Sequence, residues 1–335
     1  QILYLYYFKN LPQDDIAARL SIPVGTVKSR LSRAKENLAK KLDTEIISCD
    51  SMQIYRGMDI GTAKATASER AAAPHHLIDF LSPKESFSAE DYRADAMKVL
   101  REIESRGKLP LFVGGTGLYM DTVMRGVQLE SPPSSDALKE KLLALADDEA
   151  YREKLWQKLK EIDPASAEKT HKNNVRRVVR AIEIYELTGK TKTYFDELTK
   201  AAKPEVDVGM ITLDFHNRDN LYRRVDMRVD QMMEEGLLDE VEALYRGGIL
   251  LKGTTAAQAI GYKEIISYLD GECTLDEAVE LLKLSSRRYA KRQLTWFRNQ
   301  EGAHTVYKDT DEGKIKSDYA LLCECFDMLR DEKFI

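Results

Sequence analysis

Two short apolar runs, each closed by a distinctive turn, constrain the fold of this chain more than any other feature. Glu45-Ile46-Ile47-Ser48-Cys49 leads into Asp50-Ser51, and Leu109-Pro110-Leu111-Phe112-Val113 leads into Gly114-Gly115-Thr116-Gly117, with a helical start near Leu118. Strand, glycine loop and helix in succession are the wiring of a parallel α/β sheet, whose neighbouring strands need a crossover helix between them. Ligands of such sheets sit outside the carboxyl ends of the strands. Asp50 and Thr116 are therefore candidates for one crevice. Each also has an ordinary explanation: an Asp after a strand commonly caps a turn, and a lone GGTG commonly makes a tight connection rather than an anion nest. Their occurrence together at two strand ends leaves both readings open.

The 335 residues suffice for two or three domains. Four textures follow one another: residues 1–41 are short, helical and basic towards their end; 42–128 hold the strand–loop–helix pattern; 129–205 open on Pro132-Pro133 and continue as charged helical sequence; 206–335 begin with a short apolar strand, Met210 to Phe215, and continue as amphipathic helices. A hydrophobic content of 43% supports a globular core. Charged residues reach 32% with a net charge of -5, which excludes a basic coat and leaves polyanion binding to local faces.

Three helices carry such faces. After Asn174, Val175, Val178, Val179 and Ile182 form an apolar stripe, with Arg176 and Arg180 one turn apart and Gly189 past the end. After Asp219, Leu221, Val225 and Val229 point inward, and Arg224 and Arg228 stand one turn apart. Thr274 with Glu277 makes a capping box ahead of a helix expected to bury Ala278, Leu281, Leu282, Ser285, Tyr289 and Trp296. Arg287 and Lys291 lie one turn apart on it, as do Arg288 and Arg292. Solvated faces are the ordinary reading, and Glu183 and Glu186 are candidate partners; phosphates are the natural polyanionic one.

Cys49, Cys273, Cys323 and Cys325 form no CxxC pair and have no histidine at ligand spacing, which suits a reducing compartment without disulfides or a protein-built metal site. No apolar run approaches the ~18–20 residues that span a bilayer, and Asp14 and Asp15 follow the apolar start too closely for a signal peptide. A cytoplasmic monomer with no membrane partner is expected.

Residues 1–41 read as a helix-turn-helix. Asp14 caps a helix with Ile16, Ala17 and Leu20 inward, Ser21-Ile22-Pro23 turns the chain, and a second helix sets Val27, Leu31 and Ala34 against Lys28, Arg30, Arg33 and Lys35. "LPQDDIAARLSIPVGTVKSRLSRAKENL" resembles the promoter-reading helix-turn-helix of bacterial sigma factors. That resemblance implies DNA contact through residues 24–35, with Thr26, Lys28, Ser29 and Arg30 in the major groove. The rest of a sigma factor is absent, which favours an orphan helical pair.

Further along, "EIISCDSMQIYRGMDIGTAKAT", "APHHLIDF", "LPLFVGGTGLYMDTVMRG", "HKNNVRRVVRAIEIYELTGKT", "AIGYKEIISYLDGE" and "RRYAKRQLTWFRN" occur in order. They resemble the successive motifs of bacterial tRNA dimethylallyltransferases, from about residue 42 to about 306. The resemblance implies an α/β fold with a P-loop-type parallel-sheet core and a helical insertion domain. It implies transfer of a dimethylallyl group from dimethylallyl diphosphate to N6 of the tRNA adenine beside the anticodon, with Mg²⁺ as helper. It assigns catalysis to Asp50 as general base, to Thr116 at the junction of amine and diphosphate, and to Arg228, which with Arg224 holds the departing diphosphate. It places tRNA contacts at Asp50, Ser51, Met52, Gln53, Thr116 and Lys139, at Arg176, Arg177, Val178, Val179 and Arg180, and at Gln258, Ala259, Ile260, Gly261, Tyr262 and Lys263.

The chain departs from this pattern at one place. The family opens with a strand and a glycine-rich loop, G-x-x-x-x-G-K-[ST], whose N–H groups cradle the diphosphate, and that pattern does not occur in this sequence. The sigma-like segment stands there instead, and the join falls near "ENLAKKLDTEII". Ile2 to Phe8 has the composition of a replacement strand but no glycine loop behind it, and helix is the favoured state. The missing strand is expected to be interior, leaving its neighbours with unpaired edges and the activity impaired. A non-catalytic nucleic-acid-binding protein is the alternative. A kinase is set aside because no Walker lysine is present.

Overall fold

Ile46 and Ile47 alternate between the two faces of a short strand, β1 (Thr44–Ser48), which is the centre of a parallel sheet. The computed structural model describes residues 44–124, 132–201, 205–300 and 302–331; the expected helix-turn-helix of residues 1–41 lies outside them. Within them the chain divides into two units, one running up to Met120 and resuming at Val208, the other Asp121–Asp207.

In the first unit, α1 (Ala67–Ala72) leads to β2 (His75–His76). A capping box between Ser88 and Asp91 starts α2 (Ala89–Ser105), which buries Tyr92, Ala96, Met97, Leu100 and Ile103 on one face. That face packs on β1 and on β3 (Leu109–Val113). β1 pairs in parallel with β3 in a register running from Thr44 opposite Leu109 to Ser48 opposite Val113, and its other edge takes β2. The expected strand–loop–helix run is present, with α3 spanning Gly117–Met124. The face of β3 turned away from Pro110 and Phe112 stays open: Leu109, Leu111 and Val113 are exposed.

After Val208 the chain forms β4 (Met210–Asp214), α9 (Arg218–Glu234), α10 (Leu237–Arg246), α11 (Tyr262–Leu269), α12 (Leu275–Arg298), β5 (Ala303–Tyr307) and α13 (Asp318–Asp331). β4 pairs with β5 in parallel. The expected sheet is thus found as two pieces, ordered β2-β1-β3 and β4-β5, with no ladder joining β3 to β4 among the described residues. The main core gathers Ile54, Tyr55 and Met58 from the turn after β1 against Leu237, Val241, Tyr262, Ile265 and Leu282.

The Thr274–Glu277 capping box is present. Leu281, expected inside, is exposed. The inward stripe of α12 runs through Ala278, Leu282 and Leu294, and Leu281 lies one residue, about 100° around the helix, from it. Arg287 also leaves the expected basic face, because its Nη1 donates to both Asp226 oxygens at 2.7 Å and ties α12 to α9.

The second unit is helical: α4 (Asp136–Leu145), α5 (Glu149–Ile162), α6 (Pro164–Lys169), α7 (Val175–Thr188) and α8 (Lys192–Ala201). Val178, Val179 and Ile182 of α7 pack with Leu155 and Leu159 of α5, and Gly189 ends α7 in the left-handed conformation, φ 68°.

Candidate active site

β1 and β3 deliver Asp50 and Thr116 to the same place. Backbone bonds fasten the strand ends together: Cys49 N–H donates to Val113 O at 2.7 Å and Thr116 N–H to Cys49 O at 3.1 Å. The glycines permit this approach. A Cβ on Gly114 would overlap the Cys49 backbone, and one on Gly117 would overlap the Trp296 ring. The GGTG turn is therefore shaped by packing against β1 and α12.

Asp50 does cap a turn: Oδ1 accepts from Met52 N–H at 2.8 Å and from Gln53 N–H at 3.3 Å. Those bonds employ one oxygen, and Oδ2 takes no hydrogen bond from the described residues. Burial pushes the Asp50 carboxyl above its usual range, and the two turn N–H groups and the charge of Arg228 offset part of that. Ser51 N–H donates to Thr116 Oγ1 at 3.0 Å, and Thr116 Oγ1 lies 3.3 Å from Ser51 Oγ.

Arg224 and Arg228 project from α9. The start of that helix is fixed by the fully buried Asp309, whose carboxylate accepts from His216 N–H at 2.7 Å, Asn217 N–H at 3.1 Å and Asn220 Nδ2 at 2.8 Å. Surrounding protein and then Arg224 draw the Arg228 guanidinium below its usual range, against the opposing pull of Asp50 and Glu235; it stays charged. Neither arginine forms an ion pair with a described residue. Two like charges one turn apart, with no carboxylate of the described residues at ion-pair distance, attract an anion of matching charge. No group of three His, Cys, Asp or Glu converges among the described residues, so these residues suit only a Mg²⁺ held chiefly by substrate phosphates.

The other expected contact residues divide by exposure. Met52 and Gln53 are half-buried beside Asp50, and Gln53 Nε2 donates to Thr62 O at 3.2 Å. Gln258 and Lys263 are exposed, Ile260 is half-buried, and Ala259, Gly261 and Tyr262 are buried, with Tyr262 OH donating to Glu240 at 2.6 Å. In the second unit Lys139, Arg176 and Arg177 are exposed, whereas Val178 and Val179 are core. The four side chains at 178, 179, 259 and 262 are buried in the cores of their own units and present little surface to a polynucleotide. Arg180 is engaged as well: it donates to Pro132 O at 2.8 Å, to Pro133 O at 3.2 Å and to buried Glu183 at 2.7 Å. Sequence reasoning did not name Gln293, whose Nε2 donates to Gly115 O at 2.9 Å; its place one turn after Tyr289 was the available signal.

A parallel α/β core presenting a carboxylate and a hydroxyl at its strand ends, with the Arg228 guanidinium of α9 in the field of the carboxylate, is the build of a group-transfer enzyme for an anionic substrate. The chain belongs to the IPP transferase family, whose model matches residues 53–300. It is 49% identical over 280 residues to a tRNA dimethylallyltransferase of Anoxybacillus flavithermus, covering 83% of this chain and 86% of the relative. Against a tRNA dimethylallyltransferase of Bacillus cereus it is 46% identical over 301 residues, covering 90% and 92%. Among solved structures, the full-length tRNA isopentenylpyrophosphate transferase of Bacillus halodurans superposes with a TM-score of 0.63 at 43% identity, covering 90% of this chain and 93% of that one. A eukaryotic dimethylallyltransferase acting on tRNA superposes at 0.65 with 30% identity, covering 82% and 70%. Residues 1–38 separately match the sigma-70 region 4 model.

Proposed function

We propose that this chain carries a site for moving a dimethylallyl group from dimethylallyl diphosphate to N6 of a tRNA adenine beside the anticodon. The observation that carries this reading is the Asp50 carboxylate, with one oxygen spent on its turn and the other unbonded by any described residue, beside Thr116 and within the field of Arg228. The exocyclic nitrogen attacks C1 of the dimethylallyl group, the C1–O bond breaks towards the diphosphate, and the amine proton passes to Asp50 Oδ2. Removing that proton as the bond forms relieves the positive charge on nitrogen. Arg228 and Arg224 stabilise the charge gathering on the departing diphosphate, which lowers the barrier more than the proton transfer does. Mg²⁺ held by the substrate phosphates would neutralise part of the same charge, and the Ser51 and Thr116 hydroxyls are protein oxygens that could assist in holding it. Arg176, Arg177, Lys139, Gln258 and Lys263 are the exposed side chains available to tRNA, and the target base must leave its stack to reach Asp50. No helix of the described residues is long and apolar enough to cross a membrane.

The reading includes impairment. With no G-x-x-x-x-G-K-[ST] in the sequence, the ring of N–H donors is missing, and two arginines with one threonine grip a diphosphate less well. Turnover with dimethylallyl diphosphate, Mg²⁺ and tRNA is expected at least about 10²-fold below that of an intact relative, and Asp50→Asn is expected to lower it by a further ~10²–10⁴. Rates equal to the relative's overturn the impairment. No alkylated adenine after prolonged incubation at high enzyme concentration overturns the transfer itself.

A second reading rests on the sigma-70 region 4 match: a nucleic-acid-binding protein working through the basic residues of 24–35. Salt-sensitive binding to promoter DNA in a gel shift supports it, and no such binding removes it.

A further inference from the structure

The turn that follows the Asp50 segment is held by a carboxylate from a helix far along the chain. Glu240, in the first turn of α10, is half-buried. Its Oε2 accepts from Asp59 N–H at 2.9 Å and Ile60 N–H at 2.8 Å. Its Oε1 accepts from Gly61 N–H at 3.2 Å and from Tyr262 OH at 2.6 Å. Four donors on two oxygens match the lone pairs of a carboxylate. An amide in its place offers one acceptor oxygen and turns an N–H₂ group towards donors.

The same turn is gripped from its other side. Gln53 Nε2 donates to Thr62 O at 3.2 Å and to Ala63 O at 3.3 Å, while Gln53 N–H donates to Asp50 Oδ1. Ala63 is held at φ 48°, a left-handed conformation that is strained for a residue with a Cβ. Just beyond it, the buried Lys64 ammonium donates to Tyr55 O at 2.7 Å and to Asp79 at 2.8 Å, and pairs with Asp59 at 2.6 Å. Tyr262 closes the arrangement, since a Cβ on Gly61 would overlap its ring.

Gln53 and Tyr262 thus attach two separate stretches, residues 50–53 and 258–263, to one turn. Apolar packing of Ile54, Met58 and Tyr262 in the core brings these stretches together, but burial is non-directional; the hydrogen bonds fix their geometry. We propose that Glu240 is a positioning residue for RNA recognition: by tying residues 59–61 to the Tyr262 hydroxyl, it sets the spacing between 50–53 and 258–263, so that both meet the extruded adenine and its neighbours in register. The proposal rests on the transfer reading for the identity of the RNA, but not for the brace itself.

The test uses the full chain. Amide exchange at residues 59–61 is expected to rise at least about tenfold in Glu240→Gln, with exchange in α2 unchanged. Unaltered exchange at 59–61 overturns the brace, whatever the protein does with RNA. Binding is then measured for two anticodon stem–loop RNAs that differ only in carrying adenine or uracil beside the anticodon. The unsubstituted chain is expected to prefer the adenine RNA, and Glu240→Gln to cut that preference about tenfold. Loss of folded protein lowers binding of both RNAs alike, so an unchanged ratio makes Glu240 a stabilising residue only and overturns the positioning role. Tyr262→Phe removes one of the four donors and keeps the ring. It is expected to cut the preference about threefold and to add nothing in the Glu240→Gln chain; additive losses overturn the shared brace. Where Glu240→Gln does not fold, Tyr262→Phe alone decides by the same ratio. An unsubstituted chain with no preference for adenine overturns the tRNA reading and the recognition role, while the exchange data still decide the brace.

Discussion

The backbone N–H of Ser51 donates to Oγ1 of Thr116 at 3.0 Å, joining the residue after the candidate base to the residue at the heart of the glycine turn. With the Cys49–Val113 and Thr116–Cys49 backbone bonds, it makes the ends of β1 and β3 a single cross-braced platform. A base and a hydroxyl donor on separate loops would wander by more than proton transfer tolerates; on this platform their separation is set by strand pairing.

Asp50→Asn separates the structural role of the residue from its chemical one. The Asn side-chain oxygen still accepts from Met52 and Gln53, so stability is expected to change by less than about 1 kcal/mol, while the rate falls by about 10²–10⁴. The raised carboxyl of the unsubstituted chain gives a pH signature. Activity climbs as pH rises through a value above the ordinary 3.8 and then levels. The same shift makes the folded protein hold this proton more tightly than the unfolded chain. Asp50 therefore lowers stability as pH rises between 3.8 and its folded value. A pH–rate profile rising at the unshifted value would show that Asp50 is not the base.

Arg176 and Arg180 stand one turn apart on α7 with different work to do. Arg180→Ala removes the partner of buried Glu183 and two carbonyl contacts and is expected to destabilise by about 2–4 kcal/mol. Arg176→Ala, on the exposed side, is expected to leave the melting temperature alone and to reduce the salt slope of tRNA binding by about 0.7–0.9. Thermal melts and filter binding at several salt concentrations read both; equal behaviour of the two variants refutes the division.

Gly114→Ala meets the Cys49 backbone, which can yield only by parting β1 from β3. A loss of about 1–3 kcal/mol is expected, together with loss of any Asp50-dependent rate. A denaturant titration with an unchanged midpoint would disprove the close approach.

Glu45 sits at the opposite end of β1 from the site. Burial alone would raise its carboxyl; bonds from His76, Arg106 and Lys108 overcome this and hold it down to about 2. His76 and Arg106 each approach at 2.7 Å. A carboxyl lowered on folding contributes stability above its ordinary 4.5 and loses that contribution as pH falls towards about 2. Glu45→Gln is expected to cost about 1–3 kcal/mol at neutral pH and to flatten the acid limb of the stability curve between those values. An acid limb identical in variant and parent would assign acid unfolding elsewhere.

Local signals in the sequence determined the elements. The apolar runs Glu45–Cys49 and Leu109–Val113, the Thr274–Glu277 box and Gly189 past α7 act through neighbours a few residues away, and each element formed within a residue of its pattern. The sequence also determined that Asp50 and Thr116 follow strands, which in a parallel sheet points them to one edge. What surrounds them was decided at a distance. Arg287 carries the same charge as its neighbour Arg288, yet the carboxylate of Asp226, 61 residues away, claims it. Leu281 and Leu282 are equally apolar, and only the seating of α12 chooses between them. The Gly115–Gln293 contact joins positions 178 residues apart, and no periodicity spans that gap. Propensity and capping are properties of a few consecutive residues; partner choice depends on which surfaces the fold presses together.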